Sequence, residues 1–294
     1  MSQPVLITGA TGHTGRQTLQ ILAEKRVPVR ALVHQEDARA QQLRALGAEV
    51  VVGDLLDFDD ARRALRGVRA AYFVFPIRPG VIQSAAYFGQ AAKEAGVEAI
   101  VNMSQISARK DAKSHAAQDH WVAERVLDDS GVPTIHIRPT YFAEWLVYPH
   151  FLATIRDEGA IRHPFGQGRH APIAAEDQAR LIAAFLVEPE PHLGKIYPLH
   201  GPVEMSQHEI AAAVGKTLGK KVVYEPSTME EYRALLERAK MSPFLVQHLC
   251  EVAVDYQNGI FAGEDSIIEA VTGQAPMTVQ AYLSAHRSAY VGGQ

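Results

Sequence analysis

The sequence predicts a doubly wound parallel α/β sheet followed by a smaller C-terminal α/β lobe. Three observations carry that expectation. Short β-rich runs alternate with helix-like segments over roughly the first 140 residues. A glycine-rich loop joins the first of these runs to the first helical segment. Beyond it, the alternation gives way to an aromatic stretch and mainly helical patterns. Strand, helix, strand at such spacing implies right-handed crossovers and parallel pairing.

The β-rich runs are Val5–Thr8, Val29–Val33, Glu49–Val52, Ala71–Phe75, Ala99–Met103 and Thr134–Ile137. Several are apolar at nearly every position, as strands covered on both faces require. Helical segments are expected at Gly15–Lys25, Ala38–Leu46, Asp59–Leu65, Val81–Ala95 and Ala116–Asp129. Gly47, Gly96 and Gly131 follow helical segments closely, where a left-handed cap is wanted. The stretch TYFAEWLVYPHFLATIRDEG reads as a helix interrupted at Pro149, and AAEDQARLIAAFL as another helix. KIYPLHG reads as one more strand, near 195–200, that can return to the main sheet. Ser206 and Glu209 have the spacing of a capping box. From Met229 onward the pattern is mostly helical, and VGGQ reads as a frayed tail. These elements divide the chain into a domain over 1–153 and a smaller lobe over 154–294.

Composition narrows the function. Of 294 residues, 47% are hydrophobic and 21% charged, ordinary values for a chain that buries a core. The formal charge of -4 argues against a nucleic-acid partner held through phosphate contacts. Cys250, the one cysteine, cannot form an internal disulfide or a multi-thiolate metal site, and its apolar surroundings suggest a core residue. No uncharged stretch reaches membrane-span length, and MSQPVLITGA lacks the layout of a signal peptide. The expected compartment is the cytoplasm, with no membrane partner.

The most informative motif is TGATGHTG at residues 8–15. Gly9 permits a tight turn, Gly12 lets the backbone approach a pyrophosphate, and Gly15 allows close packing of helix on strand. Thr11, His13 and Thr14 complete the candidate phosphate loop, and the helix N-terminus offers it free N–H groups. A Walker-type site is excluded because the loop lacks a Gly-Lys-Ser/Thr ending.

With VRALVH, VVGDLLD, VNMSQIS, IRPTYFAEWL and LHGPVEMSQHEIAAAVGKTLGKKVVY, the G-x-x-G-x-x-G loop resembles the NmrA-like branch of the atypical short-chain dehydrogenases. The resemblance covers nearly the whole chain. It implies a Rossmann sheet binding NAD(P) and a small α/β substrate lobe. Members include NADPH-dependent quinone and triphenylmethane-dye reductases, and non-catalytic redox-sensing regulators. It also implies that Asp54, beside Leu55, touches the adenine, and that the residues after the sixth strand, among them Tyr141, lie beside the nicotinamide. Phe75 and Pro76, ending the fourth strand, are expected to border the cofactor.

A carboxylate at the end of the second strand would select NAD. His34 stands there instead, and Arg39 follows on the next helix. A histidine can hydrogen-bond a phosphate, so NADP is favoured over NAD; the competing reading of His34 is an exposed loop residue.

Short-chain dehydrogenases commonly use a serine with Tyr-x-x-x-Lys on one helix. Ser104 is present, but His120 and Glu124 occupy the i and i+4 positions where Tyr and Lys are expected. Ordinary alcohol–ketone chemistry is thereby put in doubt. His120 is a candidate proton donor, with Glu124 orienting it or raising its pKa; the plainer reading makes both surface residues. Tyr141, Trp145 and Tyr148 would share one face of a helix and wall a flat acceptor, or else pack a core. His115 with His120, and His163 with His170, lack the spacing of zinc ligands, so no metal is expected. No G-x-S-x-G elbow of a serine hydrolase occurs. The sequence thus points to an NADPH-dependent reductase of a small quinone-like or other conjugated electrophile. The alternative is a non-catalytic NAD(P)-sensing regulator with a protein partner. A homodimer stays open.

Overall fold

The computed structural model describes residues 3–291. Strands β1 (Val5–Ile7), β2 (Val29–Val33), β3 (Glu49–Val52), β4 (Ala70–Phe73), β5 (Ala99–Met103) and β6 (Thr134–Pro139) alternate with five helices. These are α1 (His13–Glu24), α2 (Ala38–Ala45), α3 (Phe58–Leu65), α4 (Val81–Ala95) and α5 (His115–Asp129). Later come α6 (Pro149–Ala153), β7 (Ala160–Ile161), β8 (Arg169–His170), α7 (Ala175–Val187) and β9 (Ile196–Leu199). The central sheet has seven strands in the order β3-β2-β1-β4-β5-β6-β9. Chain order reverses at β1, so β1 and β4 flank a switch point, where open α/β sheets bind ligands at their carboxyl ends. β1, β4, β5 and most of β6 are fully buried, which accounts for their unbroken apolar runs.

The chain forms two compact units. The first runs to Ala112 and adds Ala116–Arg138 and Ala175–Pro198. The division therefore differs from a single cut after residue 153. Residues 175–198 join the first unit because α7 packs on α1, through Gln17 Nε2 donating to Glu176 Oε1 at 3.1 Å, and because β9 pairs beside β6. The core of this unit includes Leu6, Leu65, Phe73, Phe88, Ile100 and Leu127. Gly47, Gly96 and Gly131 all take the positive φ expected after a helix, with Gly96 the left-handed cap of α4.

The second unit holds Lys113–His115, Pro139–Ala174 and the chain from Leu199 onward. Its remaining elements are β10 (Met205–Ser206), α8 (Gln207–Leu218), β11 (Val223–Tyr224), α9 (Met229–Arg238), α10 (Pro243–Gln257), α11 (Ile267–Thr272), α12 (Val279–Ala285) and α13 (Arg287–Val291). β10 pairs antiparallel with β8, and β11 parallel with β7. Trp145, Ile155, Ile161, Ile210, Val214 and Leu283 belong to its core. The Ser206–Glu209 capping box forms: Ser206 N donates to Glu209 Oε2 at 2.7 Å, and Glu209 N to Ser206 Oγ at 3.3 Å. Cys250 is buried, 3% exposed, on α10.

The aromatic stretch departs from expectation. Tyr141 lies outside any helix, Ala143–Val147 form a short 3-10 turn, and Tyr148 is extended. Pro149 occupies the first turn of α6, so it starts a helix rather than interrupting one. The expected common face of Tyr141, Trp145 and Tyr148 therefore does not form. Of the expected tail, Val291 closes α13, while 292–294 lie outside the described residues. Among the described residues, no helix is long and apolar enough to cross a membrane.

Candidate active site

The glycine loop is built by sterics. Val74 N donates to Thr8 Oγ1 at 2.9 Å, tying the loop's start to the end of β4. Gly9 has φ +57, and a Cβ there would lie 2.6 Å from Val74 Cγ1. Only glycine meets both demands. A Cβ on Gly15 would lie 2.4 Å from the Gly9 carbonyl oxygen, so the third glycine lets α1 close on the loop. Gly12 differs: its φ of -80 is ordinary, and its nearest obstacle is the Gly9 oxygen at 3.3 Å. Gly12 is the N-cap of α1, and neither a side-chain cap nor a first-turn acid satisfies that terminus. Open N–H groups and a positive dipole end fit a phosphate.

A groove of about 310 Å³ extends from this loop across the carboxyl ends of β2, β3 and β4. Seven expected cofactor residues line it: Gly9, Thr11, His34, Asp54, Leu55, Phe75 and Pro76. His13, Thr14 and Gly15 sit in the first turn of α1. Asp54 Oδ1 accepts from Leu56 N at 2.9 Å, and Asp54 Oδ2 lies 4.0 Å from His34 Nδ1. The His34 side chain is 69% exposed, open to a ligand. Arg39 is not brought there. Asp37 caps α2 and holds the Arg39 guanidinium, with Nε–Oδ2 at 2.9 Å and Nη2–Oδ2 at 2.6 Å.

Sequence reasoning missed Arg78. It lines the groove with its guanidinium 5.0 Å from the centre of the Phe75 ring, and has no carboxylate partner among the described residues. The available signal was a cation two residues past Pro76, just beyond a strand that borders the switch point.

Ser104 follows β5 and is 5% exposed; its Oγ is buried without a hydrogen-bond partner among the described residues. Such a hydroxyl is costly unless a ligand or water completes it. Glu124 is fully buried and held by Arg138, with Nε–Oε1 at 2.8 Å and Nη2–Oε2 at 2.5 Å. Arg125 Nη2 adds a contact to Oε2 at 3.4 Å. The carboxylate thus serves the sheet rather than His120. His120 is 5% exposed, and burial pushes its pKa down to about 4 against the opposing charge of Glu124. Both residues are interior, not surface, and His120 is neutral near pH 7. Glu124 does raise the imidazole's pKa, as expected, but desolvation outweighs the ion and the net shift is downward.

One α5 face continues this polar seam. His136 Nε2 meets Asp128 Oδ1 at 2.9 Å, and Asn102 Nδ2 meets His136 Nδ1 at 2.9 Å. A carboxylate only accepts, so Nε2 carries the proton and Nδ1 accepts from the amide.

In the second unit, Tyr141 makes edge contacts with Phe165 at 5.4 Å, His170 at 6.0 Å, Trp145 at 6.1 Å and Phe261 at 6.3 Å. Burial raises its phenol pKa, so it stays protonated. Trp145 is 2% exposed and belongs to the core, whereas Tyr148 is 42% exposed. His163 packs among aromatic rings, 4.0 Å from Phe165 and 5.1 Å from Trp145, with neither ring nitrogen hydrogen-bonded among the described residues. Among the described residues, no group of three or more His, Cys, Asp or Glu side chains could hold a metal.

The NmrA-like family model matches residues 1–282. The chain belongs to the NmrA-like family. This NmrA-like protein is 29% identical to the NAD(P)H azoreductase of Xenophilus azovorans, over 97% of this chain and 99% of the relative. It is 27% identical to quinone oxidoreductase 2 of Escherichia coli strain K12, over 95% and 97%. The solved NADPH-dependent quinone oxidoreductase of Escherichia coli complexed with NADPH superposes with a TM-score of 0.84 at 26% identity, covering 96% of this chain and 99% of that one.

Proposed function

We propose that this NmrA-like protein is an NADPH-dependent oxidoreductase that passes hydride to a quinone-like or similarly conjugated electrophile. Bound NADPH would supply the hydride, and a quinone would take that hydride and a proton to become a hydroquinone. The uncapped terminus of α1 would hold the pyrophosphate, and the groove over β2–β4 the adenosine half. His34 and Arg78 are the groove's groups suited to the extra phosphate of NADP. The named activities of the azoreductase and quinone oxidoreductase relatives support the reading.

The observation that carries the acceptor class is the state of His120 and Glu124. A neutral buried imidazole and an arginine-bound carboxylate stand where a tyrosine of lowered pKa and a lysine would protonate a ketone oxygen. Neither residue supplies such protonation, which favours acceptors that take hydride without it. Ser104 Oγ is free to hydrogen-bond an acceptor or carboxamide oxygen at the carboxyl end of β5. Steady-state NADPH oxidation with quinones, cationic dyes and simple ketones tests this. Turnover should follow electrophilicity and be absent for the ketones; efficient ketone reduction would overturn the reading.

The loop makes a separate prediction. Gly12→Val should lose NADPH binding at a smaller stability cost than a side chain at Gly15, because a Cβ there meets the Gly9 oxygen at a tight 3.3 Å rather than 2.4 Å, while the phosphate approach is blocked. Gly15→Ala should instead lose about 1–3 kcal/mol of stability through backbone overlap. Thermal melts and a fluorescence titration with NADPH read both. Normal NADPH affinity in Gly12→Val would refute the loop assignment.

A further inference from the structure

A cavity of about 420 Å³ lies within the C-terminal unit, apart from the groove described above. Its volume falls in the range of small-molecule pockets. Phe151 of α6 and Leu235 of α9 give it apolar walls. Tyr232, only 3% exposed, also lines it, and its hydroxyl has no hydrogen-bond partner among the described residues. Ser227 Oγ is likewise buried and unpartnered there. Burial, then nearby Tyr141 and Cys250, holds the Tyr232 phenol well above its usual range, so it is a donor at any ordinary pH.

The cavity is lined by two guanidiniums, Arg162 and Arg238, and two carboxylates, Glu225 and Glu231, which differ in how far each is committed. Glu225 is taken by Arg162, whose Nε donates to Oε2 at 2.8 Å. Glu231 completes a capping box, accepting from Thr228 N at 2.8 Å. Arg238 lines the same cavity and has no ion-pair partner among the described residues. The uncommitted groups are therefore two hydroxyls and one guanidinium, set beside an aromatic ring and a leucine.

We propose that this cavity is a binding site for a planar, carbonyl-bearing aromatic compound with an anionic substituent, the anion on Arg238 and a carbonyl oxygen on Tyr232 and Ser227. The quinonoid identity of that ligand rests on the reductase reading above; the cavity and its free cation do not. Pairing the anion with a guanidinium would give a charge-assisted hydrogen bond, stronger than a neutral one.

The test is calorimetry on the full chain with anthraquinone-2-sulfonate and its uncharged hydroxymethyl counterpart. Wild type should bind the sulfonate more tightly. Arg238→Ala should cost about tenfold in sulfonate affinity and leave the neutral compound unchanged. Tyr232→Phe should weaken both, with an unaltered melting temperature. Equal affinity for the two compounds, or an unchanged ratio in Arg238→Ala, would overturn the site. NADPH oxidation with the same pair separates the two proposals. Sulfonate binding through Arg238 without any turnover would sink the reductase reading and keep the site. Turnover of both compounds with no Arg238-dependent sulfonate binding by calorimetry would do the reverse.

Discussion

Acid should unfold this protein between about pH 6 and pH 4, before most carboxylates are protonated. Three buried histidines set that range. Burial lowers the pKa of His120 to about 4 and those of His163 and His170 to about 3. Each folded-state value is depressed, so below about pH 6.5 the unfolded chain binds protons that the folded chain refuses. Stability is therefore complete above about pH 6.5 and falls as pH drops toward the folded values. Two pH units below that point, the three together remove about 8 kcal/mol, comparable to the whole stability of a typical domain. His163→Phe should move the acid midpoint lower, since the ring sits among Trp145, Phe165 and Tyr224 with no hydrogen bond to lose. Circular dichroism against pH reads the midpoint. A midpoint unchanged in both His163→Phe and His120→Phe would show that burial of these imidazoles does not govern acid stability.

Breaking the Glu124–Arg138 pair should have the second largest effect. Glu124→Ala leaves Arg138, 20% exposed, without its bidentate partner and should cost about 3 kcal/mol. Replacing both, as Glu124→Leu with Arg138→Met, should recover much of that loss, because well-packed apolar pairs often match buried ion pairs. Urea denaturation of both single variants and the double variant measures the coupling. The folded fraction of Glu124→Ala should keep near-normal kinetics, since the carboxylate serves the sheet. A large fall in kcat with stability intact would instead place Glu124 in the chemistry.

What was legible in the sequence was local. The loop could be read because strand, glycines and helix are consecutive, and each glycine has its own steric reason. The Ser206–Glu209 box was readable for the same cause. Arg39 misled because Asp37, two residues before it, offers a nearer partner than any phosphate. The Tyr141–Trp145–Tyr148 face does not form because Tyr141 lies outside any helix and only Ala143–Val147 wind, as a short 3-10 turn, before Tyr148 extends. His120 and Glu124 stand out by their i, i+4 spacing, but their burial and Arg138 lie outside helical spacing, so their protonation logic was not readable. Arg78 was marked only by its place two residues past Pro76, whereas Tyr232 and Arg238 join Phe151 and Arg162 from a helix distant in sequence, and no pattern along the chain marks them.

The central claim is NADPH-dependent hydride transfer without a protonating dyad. Single-turnover absorbance of NADPH, mixed with excess enzyme and a benzoquinone, tests it most directly. The account predicts rapid loss of the reduced-nicotinamide band, at a rate nearly constant from about pH 6.5 to 8 because burial holds the His120 imidazole far below that range. Tight NADPH binding with a band that persists against every quinone would contradict it, and would favour a cofactor-sensing protein instead.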